Sequence, residues 1–174
     1  MNAVADTLVQ GLLLGGHFAL SGLGLALAFG IMRIVNIAHG DLLVVAAYLG
    51  VALVRLTPLS PLAAVLVIVP AMAALGWLLQ RLLFNRLVGQ GDLAPMLVTF
   101  GLSIIVHNAL QELFSADFQT LDAGAARTAS VEAAGMHLGL LPLATLALAA
   151  LVYAGVHALM RHTRFGRVVR ATVD

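Results

Sequence analysis

Long apolar runs, set apart by short polar stretches, restrict this chain more than any other feature. They occupy about residues 8–31, 41–54, 61–83, 93–113 and 137–160. An α-helix rises 1.5 Å per residue, so about 20 residues cross the hydrocarbon core of a bilayer. Four of the five runs reach that length. The second is short, giving roughly 20 to 24 Å of helix against a core of about 30 Å. It is expected to begin inside the membrane or to take length from the polar stretch before it. A chain that is 61% hydrophobic and 10% charged, with a mean hydropathy of +1.04, lies far outside the range of soluble domains. The expected fold is all-α: a polytopic transmembrane helical bundle of about five membrane segments, with a broken or re-entrant stretch near residues 31–41. Residues 1–174 then form one membrane domain.

What the chain lacks narrows its chemistry. It has no cysteine, which excludes disulfides and thiolate metal sites. It has no lysine either, since all nine basic residues are arginine. A phosphate-binding Walker loop and a pyridoxal Schiff base both need a lysine, so this chain by itself is no conventional ATPase. The first basic residue is Arg33, and the apolar run before it is too long for a cleaved leader, so a retained first transmembrane helix is expected. Arginine placement sets orientation. Arg81 and Arg86 lie in residues 81–92, and Arg161, Arg164, Arg167 and Arg170 in the tail, while residues 115–136 hold Asp117, Asp122 and Glu132 against Arg127. The positive-inside rule places 81–92 and the tail in the cytoplasm, and makes 115–136 an external loop. The N-terminus is then external, an assignment that Arg55 opposes mildly.

The stretch "IMRIVNIAHGD", residues 31–41, is the most polar interruption between membrane runs. Asn36, His39 and Asp41 offer side chains used in metal and acid–base sites. No further histidine or acidic pair stands at ligand spacing, so neither a metal nor catalysis is expected, and no cofactor. Two readings stay open. Polar side chains can cap helix ends where the chain breaks, with Gly40 making a sharp turn. Irregular backbone at membrane depth also survives where it lines a cavity, so such a break marks a translocation path.

The first run carries a second pattern. Gly11, Gly15, Ala19, Gly22, Ala26 and Gly30 fall on one helical face, forming a ridge of small residues on which another helix can pack closely. His17, His107 and His157 are isolated, and each is expected to bond a backbone carbonyl. Glu112 is expected to snorkel near an external boundary, Trp77 to anchor at the interface, and Pro70 to kink its helix. In the tail "RHTRFGRVVRATVD" arginines recur every three residues, a basic stripe suited to anionic membrane lipids or to a cytoplasmic partner, and not to nucleic acid.

Three segments in order carry a family resemblance. "GLLLGGHFALSGLGLALAFGIMRIVNIAHGD" resembles the opening of the permease subunits of branched-chain amino acid ABC transporters, whose Gly-rich first helix precedes an Asn-Phe-Ala-His-Gly-Glu/Asp signature. Here that signature reads Asn36, Ile37, Ala38, His39, Gly40 and Asp41, with Ile37 in place of the aromatic residue. "LVTFGLSIIVHNALQELF" is similar to the fourth-helix segment of that family, and "TRFGRVVRAT" to its run leading into the cytoplasmic coupling region. The resemblance implies an importer driven by ATP hydrolysis on separate subunits. Its expected partners are a second permease subunit, two cytoplasmic ATP-binding subunits and an external substrate-binding protein, in a bacterial inner membrane. It implies that residues 36–41 lie along the translocation pathway. Residues 161–174 begin the coupling region, with Arg164, Phe165, Gly166 and Arg167 facing the ATPase. Members of the family continue through further membrane helices, so an N-terminal portion of a longer chain is expected.

Other readings remain at this stage. A urea or amide permease of the same superfamily shares these motifs. An ATP-independent secondary transporter or channel calls for an intramembrane acidic residue, and Asp41 comes nearest. A membrane enzyme calls for a convergent catalytic set, which is not found.

Overall fold

The computed structural model describes residues 3–32, 34–91, 93–115, 120, 129–133, 136–163 and 166–167. Among them five helices are long and apolar enough to cross a membrane: Asp6–Ile31, His39–Leu56, Pro61–Leu87, Leu93–Phe114 and Leu140–His162. The all-α polytopic class holds. By element, α1 is Ala3–Met32, α2 His39–Leu56, α3 Pro61–Leu79, α4 Asn85–Leu87, α5 Leu93–Phe114 and α6 Leu140–His162. A π-helical segment, Gln80–Phe84, joins α3 to α4. The chain forms two compact units, Met1–Ile31 with Asp122–Asp174, and Met32–Leu121.

Large apolar side chains point outward along every long helix; Leu62 is 84% exposed and Leu66 78%. In water that would be ruinous, but a bilayer solvates such a surface and removes the hydrophobic drive for helices to bury it. Contacts between helices depend instead on small residues and fit.

In the first unit α1 and α6 meet at Gly16. A Cβ there would lie 2.6 Å from Leu146 Cδ1 and 3.1 Å from Leu146 Cα, so only glycine lets the backbones approach this closely. The Tyr153 hydroxyl donates to the Ala19 carbonyl at 3.0 Å. Gly16 lies beside the expected ridge and not in it. No atom of α6 comes within 4 Å of a Cβ built at Gly11, Gly15, Gly22 or Gly30, leaving that face open to other partners. Gly16→Val is expected to destabilise the protein by about 1–3 kcal/mol through overpacking, whereas Gly15→Val stays near neutral. Thermal unfolding of the two variants in detergent checks this, and equal melting temperatures would disprove the close approach.

Before α6 the chain forms an antiparallel pair, β1 Ser130–Ala133 with β2 Met136–Gly139, in register Ser130↔Gly139 and Ala133↔Met136. The Leu140 N–H donates to the Ala129 carbonyl at 2.9 Å, tying this ribbon to the start of α6. The fifth apolar run was expected to be helical from residue 137; residues 137–139 are strand, because Pro142 favours the first turn of a helix and sets its start at Leu140. Of the expected external loop, residues 116–119, 121–128 and 134–135 lie outside the described residues.

In the second unit α2 packs on α3 and on α5. The α2–α3 connection is short. Thr57 closes α2 through its N–H to the Leu53 carbonyl, and Ser60 opens α3 by accepting from the Ala63 N–H, with Pro61 in the first helical position. Helix α3 runs on through Pro70, and the irregularity comes ten residues later, where the π segment widens the backbone and the Asn85 N–H reaches the Gln80 carbonyl. Beside it the Arg81 guanidinium sits over the Trp77 ring, 5.3 Å from its centroid, an aromatic–cation pair of the kind found at membrane interfaces. Gly89 and Gly91, with φ of 85° and 76°, make the turns toward α5 that other residues resist. His107 is exposed, and its ring nitrogen pairs with the Gln111 side chain at 3.2 Å, in place of the expected backbone carbonyl.

Candidate translocation site

Helix α2 is longer than its apolar run. It starts at His39 and ends at Leu56, and its 18 residues give about 27 Å of helix, close to a full crossing. The missing length comes from the polar stretch, which supplies His39 and Gly40 to the first turn. The expected turn at Gly40 is therefore misplaced: Gly40 is helical, and the chain turns at Ile37 and Ala38, where Ala38 has φ −73° and ψ 0°. Alanine suffices because no left-handed conformation is required.

The start of a helix leaves backbone N–H groups without partners. Ala38, the N-cap, offers no side-chain acceptor. Within the stretch, the His39 N–H donates to the Asn36 carbonyl at 3.2 Å. The Ile37 N–H donates instead to Thr99 Oγ1, at 3.2 Å, across from α5. Thr99 is fully buried, and its own hydroxyl proton is directed to the Pro95 carbonyl at 2.9 Å. The expectation that the polar side chains of the stretch would cap the helix end is thus replaced by a hydroxyl more than sixty positions away. One turn along α5, Ser103 Oγ donates to the Asp41 carboxylate. Asp41 stands in the first turn of α2, where the helix dipole favours a negative charge.

The six residues of the signature sit in distinct surroundings. Ala38 is fully buried, at 0% exposure, and Ile34 just before the signature is buried as well. Ile37 is 41% exposed, so its side chain projects away from the packed core of this unit. Asn36 Oδ1 is shut off from solvent and finds no hydrogen-bond partner among the described residues. His39 and Asp41 are half-buried and Gly40 is exposed. Asn36 and Asp41 thus bring two acceptors to one short irregular stretch. Arg33 lies outside the described residues. Among the described residues no three metal-ligating side chains gather.

Thr99 and Ser103 escaped the linear reading. Their signal was present, as two hydroxyls four positions apart on one face of an otherwise apolar helix, but nothing local says what they face.

At the other end of the chain, α6 finishes with Arg161 and His162 in its last turn, where basic residues suit the helix dipole. The Gly166 N–H donates to Thr163 Oγ1 at 3.2 Å, and a Cβ on Gly166 would overlap the Met160 backbone, so this position needs glycine. Arg167 N–H reaches the Thr163 carbonyl at 3.3 Å. Arg164, Phe165 and Arg170 lie outside the described residues.

Residues 7–174 match the family described as branched-chain amino acid transport system / permease component. The chain is also similar to the high-affinity branched-chain amino acid transport system permease protein BraD of Pseudomonas aeruginosa. The two are 26% identical over 178 residues, an alignment covering 96% of this chain and 58% of BraD. The chain therefore spans less than two thirds of the length of this relative. No solved structure matches it. The family match runs through the polar break, α5 and the tail without interruption, on a chain with five membrane-spanning helices. This chain belongs to the permease-component family of branched-chain amino acid transport systems.

Proposed function

We propose that the chain works as a membrane-spanning permease of an ATP-driven importer for branched-chain amino acids, residing in a bacterial inner membrane. The observation that carries this reading is the polar break before α2, tied to α5, within a family match covering residues 7–174. In this reading a second permease subunit completes the path, and two cytoplasmic ATP-binding subunits supply the energy that a lysine-free chain does not provide for itself. An external substrate-binding protein delivers the amino acid.

Asn36, Ile37, Ala38, His39, Gly40 and Asp41 belong to the pathway. The open face of Gly11, Gly15, Ala19, Gly22, Ala26 and Gly30 packs against a neighbouring membrane helix. The tail, through Arg164, Phe165, Gly166 and Arg167, turns toward the ATPase and the anionic lipids around it.

The test is purification of the full-length protein with its genomic neighbours, followed by uptake in proteoliposomes. ATP-binding subunits should co-purify, and labelled leucine should accumulate only with ATP inside and binding protein outside. Unlabelled valine and isoleucine should compete, and urea or short amides should not. Uptake that persists without ATP would replace this reading with a secondary transporter or channel. Competition by urea alone would move it to the amide permeases of the superfamily.

A further inference from the structure

We propose that Thr99 and Ser103 of α5 are positioning residues that hold the break before α2 in its working geometry; the proposal rests on the pathway role assigned above to residues 36–41. Helical threonines often turn their hydroxyl onto their own carbonyl four residues back, with no tertiary consequence. Thr99 does this and more. Its single proton goes to the nearest acceptor, the Pro95 carbonyl at 2.9 Å, and the carbonyls of Met96 and Val35 stand farther off at 3.2 and 3.4 Å. That leaves the lone pairs of Oγ1 to accept the Ile37 N–H at 3.2 Å. The hydroxyl is oriented by its own helix before it meets the break, and it is completely buried, so water does not compete for the Ile37 N–H.

Ser103 adds a second point of attachment. It lies one turn beyond Thr99 on the same face of α5 and donates to the Asp41 carboxylate. One hydroxyl therefore grips backbone before the first turn of α2, and the other grips a side chain within that turn. A single contact would let the end of α2 swivel; two contacts, four residues apart on a rigid helix, set both its height and its rotation. The consequence reaches Asn36 and His39, whose backbone groups are bonded to each other directly across this turn.

The experiment compares Thr99→Val, Thr99→Ser, Ser103→Ala and Ser103→Thr in the complete transporter, with uptake expressed per assembled complex. Thr99→Val keeps the shape and removes the hydroxyl, and uptake should fall about tenfold, equivalent to roughly 1.4 kcal/mol. Thr99→Ser and Ser103→Thr keep the hydroxyl and should stay within about twofold of the parent, while Ser103→Ala falls with Thr99→Val. Because the chain has no cysteine, Ile37→Cys also gives a single thiol at the break. Its maleimide labelling should be several-fold faster with Thr99→Val than with Thr99 intact. The labelling needs no substrate, so it decides this proposal even if the parent protein takes up no amino acid and the importer reading falls. If Thr99→Val does not reach the membrane, the Ser103 pair and the labelling of Ile37→Cys in Ser103→Ala decide in the same way. Equal labelling rates, or equal impairment by the hydroxyl-keeping and hydroxyl-removing substitutions, overturns the proposal.

Discussion

Asn36→Ala is expected to lower amino acid uptake by about tenfold or more, with no loss of ATPase recruitment, a change equivalent to roughly 1.4 kcal/mol at the limiting step. The substitution is local. The Asn36 backbone carbonyl still accepts the His39 N–H, so the turn into α2 keeps its internal bond. What disappears is Oδ1, an acceptor closed to solvent that no described group satisfies. Removing an unpaired buried acceptor should leave stability unchanged or slightly improved, since its desolvation is no longer opposed. A large fall in transport alongside unchanged stability would thus assign the side chain to the moving substrate and not to the fold. His39→Ala should act in the same direction. The measurement is initial-rate uptake of labelled leucine, normalised to co-purified ATP-binding subunit. Normal uptake in both variants would remove residues 36–41 from the pathway.

Ala38→Leu should be the most damaging single change in the stretch. Ala38 has 0% exposure, and three added carbons have no room beside the start of α2. Overpacking of this kind costs about 1–3 kcal/mol where neighbours can shift, and more where they are pinned. Here Ile37 on one side is bonded to Thr99, and the Leu42 N–H on the other is bonded to the Ala38 carbonyl itself at 3.0 Å. The expected result is a collapse in the amount of folded protein recovered from membranes, read by fluorescence-detected size exclusion. Ala38→Ser, which is nearly the same size and offers the oxygen this N-cap lacks, should be recovered at parental levels. Equal recovery of Ala38→Leu and Ala38→Ser would show that the position is not packed.

Much of this could be read from the linear chain, and the parts that could not share a physical cause. Hydropathy located all the long helices to within a few residues, because a bilayer demands an apolar stretch of fixed length and little else. The short second run was recognised as needing residues from outside itself, and α2 takes His39 and Gly40. What hydropathy does not encode is contact. The ridge on α1 was identified by its spacing, yet the glycine under Leu146 is Gly16, one position off that face. Small residues are common enough in membrane helices that spacing alone does not say which of them meets a neighbour. The hydroxyl that relieves the Ile37 N–H comes from another helix, a pairing with no local sequence signature. The β1–β2 ribbon was missed because its strands hold four residues each, too few for an alternating pattern to stand out from a polar loop.

The π segment at Gln80–Phe84 has a consequence for how this protein can vary. A turn closed from i to i+5 carries one residue more than an α-turn, and each residue of an α-helix advances the direction of its side chain by about 100°. Every position from Asn85 onward is thus rotated by about that angle from where an uninterrupted α3 would have carried it. Such a segment is the imprint of a one-residue insertion absorbed without unfolding the helix. A one-residue deletion between Gln80 and Phe84 would restore the simple helix while turning Arg86 and Leu87 to a different side, so chain length here, as much as residue identity, is under constraint.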